Sequence, residues 1–160
     1  MIDRIDAKQF VYVLGFPKNE NESHITLLGA VEFSSLDRVN DFVKVIEPFL
    51  HSLDASEEKI LESNVFKRLG MNVAVHHVQK SRNLEWIHTF LVVTARGFGG
   101  VFTDPGYANQ GWLPHITHGD KCNLTAGDTI LLSKIVVSRN PNEKFDPETS
   151  IDVLSVELDD

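Results

Sequence analysis

The sequence contains two copies of the triplet His-Ile-Thr. Residues 23–27 have the sequence SHITL and residues 114–118 have the sequence PHITH, one copy in each half of the chain. Side chains alternate between the two faces of a strand, so a strand at either triplet points the histidine and threonine one way and the isoleucine the other. Each triplet is therefore predicted to present an imidazole and a hydroxyl side by side, with the isoleucine anchored in the core.

The segments around the triplets predict a mixture of strands and helices. Apolar and β-branched runs predict strands at 9–16, 23–33, 59–66, 72–79, 112–117, 129–138 and 151–158, with a bulge at Gly29. Apolar residues at helical spacing predict a helix at 36–53 after Ser34-Ser35, and another that starts after Ser81 and ends at Gly97. Residues 98–111 and 139–150 are predicted loops. The pattern indicates an α+β fold with an antiparallel sheet and helices on one face.

The charge balance limits the partners that this surface can bind. The chain has 160 residues, which fits one domain, and its net charge is −8, from 15 Lys and Arg against 23 Asp and Glu. A negative surface repels the phosphates of a long nucleic acid, although it leaves room for a small nucleotide in a local pocket. We therefore expect a small nucleotide or oligonucleotide as the partner and disfavour long nucleic acid.

Cysteine usage and the N-terminal sequence bear on the compartment. Cys122 is the single cysteine, so no internal disulfide can form and a reducing compartment is favoured. The first ten residues, MIDRIDAKQF, lack the apolar run of a signal peptide, and no apolar stretch is long enough to span a membrane. The sequence predicts a cytoplasmic protein without a membrane partner, and we expect a monomer.

Paired imidazoles and hydroxyls fit the chemistry of phosphodiester cleavage. Histidine titrates near neutral pH, so one ring can accept a proton from the attacking oxygen while the other protonates the leaving oxygen. Threonine hydroxyls can donate hydrogen bonds to the non-bridging phosphate oxygens. This scheme requires neither a metal nor another cofactor.

With these two triplets, the sequence resembles the 2H phosphoesterase superfamily. The signature of that superfamily is a pair of His-apolar-Thr/Ser-apolar motifs. The matching residues are HITL at 24–27 and PHITH at 114–118, with similar context in GYANQGWLPHIT (106–117) and in the helix candidate NLEWIHTFL (83–91). The resemblance spans about 9–138. It implies two pseudo-symmetric lobes within a single domain, 1–160, with sheets lining a central cleft. His24 and His115 would be the acid–base pair, and Thr26 and Thr117 would bind the scissile phosphate.

The resemblance leaves several substrates open. A 2′,3′-cyclic phosphate, a 2′-5′ linkage and a small cyclic oligonucleotide all fit, and the reaction could run in reverse as RNA ligation. The second motif departs from the family pattern at His118, where an apolar residue is usual. Tyr12 and Tyr107 are the candidates for stacking on a base.

The other conspicuous side chains are predicted to have no direct role in the site. Trp112 is predicted to be a core residue. Structural or surface roles are predicted for the other histidines singled out, and ordinary solvated charge for three lysines. These residues are His76, His77, His88 and His118, and Lys18, Lys80 and Lys121.

Two alternatives to an enzyme remain. The first is a nucleotide-binding module, or sponge, that keeps the cleft without turnover. The second is a metalloprotein that uses histidine ligands, although the histidine spacings are irregular and no cysteine or carboxylate pattern accompanies them.

Overall fold

The structure is a computed structural model that describes residues 7–18, 23–68, 71–104, 108, 111–117, 124–143 and 148–159. Residues 63–68, 71–74 and 117 are described by their backbone alone. Within these ranges the chain forms eight strands and two helices. In chain order they are β1 (Gln9–Pro17), β2 (Ile25–Phe33), α1 (Leu36–His51), β3 (Ser56–Arg68), β4 (Met71–Val78), α2 (Arg82–Gly97), β5 (Val101–Phe102), β6 (His115–Thr117), β7 (Thr129–Asn140) and β8 (Ile151–Glu157).

Both helices begin at a serine that caps the first turn. The Ser35 hydroxyl accepts a hydrogen bond from the Arg38 amide at 3.3 Å, and the Ser81 hydroxyl accepts one from the Leu84 amide at 3.1 Å. Such caps satisfy amides that have no partner within the helix. The two predicted helices and their caps are confirmed, with α1 ending at His51 rather than at residue 53.

The described strands form one antiparallel sheet with the order β1-β2-β6-β4-β3-β7-β8. Strand β7 also pairs with β1, so the path from β1 through β7 closes on itself and β8 lies outside it. The short strands β5 and β6 both pair with β2, at opposite ends of it. This order makes residues that are far apart in sequence neighbours in the sheet.

The helices cover the sheet on its apolar side. Helix α1 contacts β1, β2 and β8, and α2 contacts β2. Their buried side chains join those of the strands in one hydrophobic cluster. The predicted α+β arrangement is confirmed. None of the helices in the described part of the chain is long and apolar enough to cross a bilayer.

Several element boundaries differ from the prediction. Strand β6 begins at His115 rather than at residue 112, because Pro114 has no amide hydrogen for a strand pairing. Strand β5 lies within the predicted loop 98–111, and the last two residues of β7 lie within the predicted loop 139–150. The predicted bulge in β2 is confirmed: Val11 pairs with Val31 and Val13 with Leu28, so Gly29 and Ala30 together oppose one residue of β1.

Candidate active site

One strand pairing brings the two His-Ile-Thr triplets together. Their central residues, Ile25 on β2 and Ile116 on β6, are direct partners in the antiparallel sheet, and both are fully buried. The predicted anchoring of these isoleucines is therefore confirmed. Because strand side chains alternate, the flanking His24, Thr26 and His115 project from the opposite side, and all three are half-buried. We call this side of the sheet the motif face.

The antiparallel register sets each histidine beside the threonine position of the other triplet. With Ile25 opposite Ile116, Thr26 lies beside His115, and His24 lies beside the backbone position of Thr117. The two histidines are then diagonal neighbours, which are usually separated by roughly 7 to 8 Å, with a somewhat shorter Cβ–Cβ distance. A gap of that size can hold a phosphate between two imidazoles. The side chain of Thr117 lies outside the described residues.

The His115 ring is oriented by the segment that precedes it. Its Nδ1 lies 2.9 Å from the carbonyl oxygen of Leu113. A carbonyl oxygen only accepts hydrogen bonds, so Nδ1 carries the hydrogen and donates it. In the neutral ring the lone pair is therefore on Nε2, which is the atom that can accept a proton from a substrate.

The His24 ring belongs to a row of side chains that crosses three strands. The Phe16 ring on β1 lies 5.6 Å from the His24 ring, centroid to centroid, and is tilted by 56°. Phe16 pairs directly with Lys134 on β7, whose Nζ lies 5.1 Å from the centre of the Phe16 ring. A cation–π contact of this kind holds the ammonium near the motif face. Sequence reasoning missed both residues; the available signal was a single lysine within the largely apolar run 129–137.

Two buried rings hold the strand that carries the first triplet. The Trp112 Nε1–H donates to the Thr26 carbonyl at 3.1 Å, and His88 Nδ1 lies 2.7 Å from the Leu27 carbonyl. The two rings stack with centroids 4.2 Å apart and an interplanar angle of 8°. Burial lowers the pKa of His88, the hydrogen bond to Leu27 opposes that effect, and the charge of Lys80 adds to the lowering. A neutral His88 is therefore favoured.

These findings confirm Trp112 as a core residue and His88 as a structural one. They also give both rings a task that the sequence did not reveal. The register between β1 and β2 shifts between the Leu14–Thr26 and Val13–Leu28 pairs, which leaves Leu27 without a partner residue on β1. The carbonyl at this irregularity is the one that meets the His88 ring.

Of the two tyrosines predicted to stack on a base, the structure describes Tyr12. Tyr12 lies on the motif face, since it is two residues from Leu14, which pairs directly with Thr26. Its hydroxyl donates to the Glu143 carbonyl at 2.5 Å, which attaches the segment after β7 to β1. Tyr107 lies outside the described residues.

The histidine pair at 76–77 is split between the two sides of β4. His76 pairs with Ile116 and is buried, whereas His77 pairs directly with His115. His77 therefore lies on the motif face, half-buried, beside a predicted catalytic residue. The sequence predicted only a structural or surface role for His77, because nothing local indicates that β4 adjoins β6.

The structure describes only some of the remaining residues for which the sequence predicted structural, surface or solvated roles. Lys18 is exposed and Lys80 is half-buried, whereas His118, Lys121 and Cys122 lie outside the described residues. Among the residues that the structure describes, no three side chains of His, Cys, Asp or Glu are grouped so that they could hold a metal ion.

Comparisons with known proteins bear on the fold. No family model matches this chain, and no curated protein matches it. Solved structures match over nearly its whole length. E. coli LigT complexed with NADP+ is 12% identical, covering 96% of this chain and 99% of LigT, with a TM-score of 0.58. TT0787 of Thermus thermophilus is 12% identical, covering 93% of this chain and 97% of its own, with a TM-score of 0.61.

Further matches agree with these two. A phosphoesterase is 14% identical, covering 95% of this chain and 99% of its own, with a TM-score of 0.54. E. coli LigT also matches in its complexes with ATP and with 3′-AMP, with TM-scores of 0.55 and 0.53. The chain therefore has the fold of the 2H phosphoesterases, the group of proteins that its paired triplets resemble.

Proposed function

We propose that this protein is a metal-independent phosphodiesterase that cleaves an RNA-type phosphodiester by acid–base catalysis at His24 and His115. The observation that carries the proposal is the direct pairing of Ile25 with Ile116, from which strand alternation sets His24, Thr26 and His115 on one face of the sheet. The fold shared with a phosphoesterase and with LigT supports it.

Cleavage at this site divides two proton transfers between the two rings. One neutral histidine accepts the proton of the attacking oxygen as that oxygen bonds to phosphorus. The other, protonated, histidine donates its proton to the leaving ribose oxygen as the old P–O bond breaks. The hydrogen bond from His115 to Leu113 keeps Nε2 available for such a transfer. Because one ring must be neutral and the other charged, the rate should have a bell-shaped pH dependence.

The phosphate itself needs hydrogen-bond donors and positive charge. Thr26 and Thr117 are proposed to donate their hydroxyl hydrogens to the non-bridging oxygens. The Lys134 ammonium, held over Phe16 on the motif face, supplies a cation near His24. Side chains of these types stabilise the charge that builds on the phosphate during transfer.

The substrate is proposed to be small. Three of the matching LigT structures are complexes, with NADP+, ATP and 3′-AMP, and each of these ligands is a mononucleotide or a dinucleotide rather than a long nucleic acid. The net charge of −8 disfavours long RNA on this chain. A 2′,3′-cyclic phosphate, a 2′-5′ linkage or a small cyclic oligonucleotide would fit, with Tyr12 and Tyr107 stacking on a base. Run in reverse, the same proton transfers would join two RNA ends.

A substrate screen tests the proposal. Purified protein is incubated with 2′,3′-cyclic nucleotides, 2′-5′ oligonucleotides and cyclic di- and trinucleotides, with and without EDTA. We expect at least one class to be cleaved, EDTA to have no effect, and the variant carrying both His24→Ala and His115→Ala to release no product. Tight binding of every class without any product would instead support a nucleotide sponge.

A further inference from the structure

His77 extends the motif face beyond the two triplets. It is the direct partner of His115 across β4 and β6, so their Cβ atoms are neighbours at about 4.5 to 5.5 Å. Its chain neighbours His76 and Val78 are at most 5% exposed, whereas His77 is half-buried. The imidazole of His77 therefore lies on the motif face, on the strand next to that of His115.

A cavity of about 570 Å³, widely open to solvent, lies beside His77. The cavity lies at an irregularity between β3 and β4, where Ile60 pairs with Val78 but the next pair is Ser63 with His76. Leu61 and Glu62 thus face a single residue, His77. An extra residue of this kind bends the strand and increases its local twist.

The far wall of the cavity is a turn fixed to β3. The Gly127 amide donates to the Ile60 carbonyl and the Ile60 amide donates to the Asp128 carbonyl, both at 2.8 Å. Within the turn, the Asp128 amide donates to the Thr125 carbonyl at 3.0 Å, and a carboxylate oxygen of Asp128 accepts from the Thr125 amide at 2.9 Å. These bonds hold this wall of the cavity in place against β3.

The lining combines apolar surface with a few polar groups. Leu61, Ala126 and Gly127 supply apolar walls, while Lys59, Glu62 and His77 supply an ammonium, a carboxylate and an imidazole. Ligand sites commonly have volumes of about 300 to 1,000 Å³ and this mixture of side chains. A nucleoside has matching features: a flat ring that stacks on apolar or aromatic surface, and amino groups that donate to a carboxylate.

We propose that this cavity, the His77 subsite, binds a second nucleoside of the substrate, attached through the phosphate that lies between His24 and His115. The subsite rests on the proposed phosphodiesterase function and narrows its substrate class. A 2′,3′-cyclic mononucleotide has one nucleoside and cannot fill both sides. A 2′-5′ dinucleotide or a small cyclic oligonucleotide can, so substrates with a nucleoside on each side of the scissile phosphate should bind more tightly.

Two variants probe the subsite in different ways. His77→Ala removes the ring that would contact the base, and Ala126→Phe fills the cavity from the turn. His51→Ala is the matched control, because His51 is an exposed histidine at the end of α1, outside the cavity lining. Circular dichroism and thermal unfolding first establish that each variant is folded.

The measurement is equilibrium binding of 2′,3′-cyclic AMP and of 2′-5′-linked ApA. Each substitution is made both in the native chain and in the chain carrying His24→Ala and His115→Ala, which prevents turnover during titration. We expect His77→Ala and Ala126→Phe to raise the Kd for ApA about tenfold more than the Kd for cyclic AMP, the loss expected when one base-stacking contact is removed. His51→Ala should leave the ratio of the two constants unchanged.

The results separate the subsite from the proposed function. Equal changes in both dissociation constants, or none in either, would overturn the subsite. If the native chain binds ApA through His77 yet cleaves no phosphodiester in the screen, the proposed function fails while the subsite stands. If both ligands are cleaved and His77→Ala lowers kcat equally for both, His77 serves only to support His115 and the subsite is wrong.

Discussion

At the scale of single residues, the geometry of the proposed site depends on hydrogen bonds to backbone carbonyls as well as on the proposed catalytic side chains. The Trp112 ring bonds to the Thr26 carbonyl, and the Leu113 carbonyl orients His115. The segment that leads into the second triplet therefore orients residues of both triplets. A rigid arrangement of this kind is required when small displacements of reacting groups have large effects on rate.

Trp112→Phe tests this coupling. The substitution keeps an aromatic ring beside His88 but removes the hydrogen that Nε1 donates to Thr26. We expect the free energy of unfolding to fall by about 1 to 3 kcal/mol, the usual penalty for leaving a buried acceptor unpaired. We also expect kcat to fall more than KM rises, since Thr26 is displaced.

Trp86→Phe is the control for Trp112→Phe. Trp86 is 59% exposed on the outer side of α2, so its replacement should change the unfolding free energy by no more than about 0.5 kcal/mol. Steady-state kinetics and urea unfolding of both variants give the comparison. Identical kcat values for the Trp112 and Trp86 variants would show that the indole bond has no role in positioning Thr26.

His88 should make stability depend on pH. Burial holds its pKa in the folded chain below the ordinary value of 6.5. Between that lowered pKa and 6.5 the unfolded chain binds more protons than the folded one, so the free energy of unfolding falls as pH falls through this interval. A single proton contributes a slope of at most about 1.4 kcal/mol per pH unit.

The measurement is urea unfolding between about pH 5 and pH 8, where histidines titrate. His88→Gln removes the titrating group and should flatten the slope, whereas His51→Gln, at an exposed position, should leave it as it is. A slope that is the same in the native chain and in His88→Gln would contradict the assignment of the pH dependence to His88.

At the scale of elements, the edge of β2 is completed by short pieces rather than by one long strand. Strand β6 pairs with it at Ile25, and β5 pairs with it at Val31 and Glu32. Between them lie the bonds from Trp112 and His88. Strand β6 is short because Pro114 has no amide hydrogen to donate. The Thr26 and Leu27 carbonyls therefore bond to the side chains of Trp112 and His88 rather than to a neighbouring strand.

Gly100 fixes how β5 approaches β2. A Cβ at this position would lie 2.7 Å from Val31 Cγ1 and 2.8 Å from the Ala95 carbonyl oxygen. The backbone oxygen cannot move aside cheaply, because it accepts the Gly100 amide at 2.8 Å. Gly100→Ala should therefore destabilise the fold by about 1 to 3 kcal/mol, as other overpacked sites do.

Gly97→Ala is the matched control for Gly100→Ala. A Cβ at Gly97 meets nothing within 4 Å, and the residue ends α2. The substitution should be neutral or should stabilise the fold by up to about 1 kcal/mol, through the lower entropy of the unfolded chain. Urea unfolding that shows the same midpoint for both variants would contradict the close packing at Gly100.

At the scale of the whole molecule, the sequence predicted what depends on neighbours in the chain. Strand alternation and helical spacing located the long elements, and the motif pair identified Ile25 and Ile116 as buried anchors. Which strands adjoin is set by contacts between distant segments, so His77 beside His115 could not be predicted from local patterns. The row from His24 through Phe16 to Lys134 was missed for the same reason.

The closed path of the sheet explains why residues from so many segments meet at one site. Strands β1, β2, β6 and β4 lie side by side, and β7 adjoins β1. Residues 16, 24, 77, 115 and 134 thereby share one face, although they span most of the sequence. We propose that this face works as one catalytic unit through the two histidines.

The most direct test is kcat/KM for the best substrate of the screen, measured in EDTA for the native chain, His24→Ala, His115→Ala and the double variant. We expect each single substitution to lower kcat/KM by about 10²- to 10⁴-fold, the usual contribution of a general acid or base. The double variant should be little worse than either single one, because groups that act as a unit are not additive. A folded single variant that retains more than about a tenth of the native kcat/KM, or an activity that EDTA abolishes, would contradict the account.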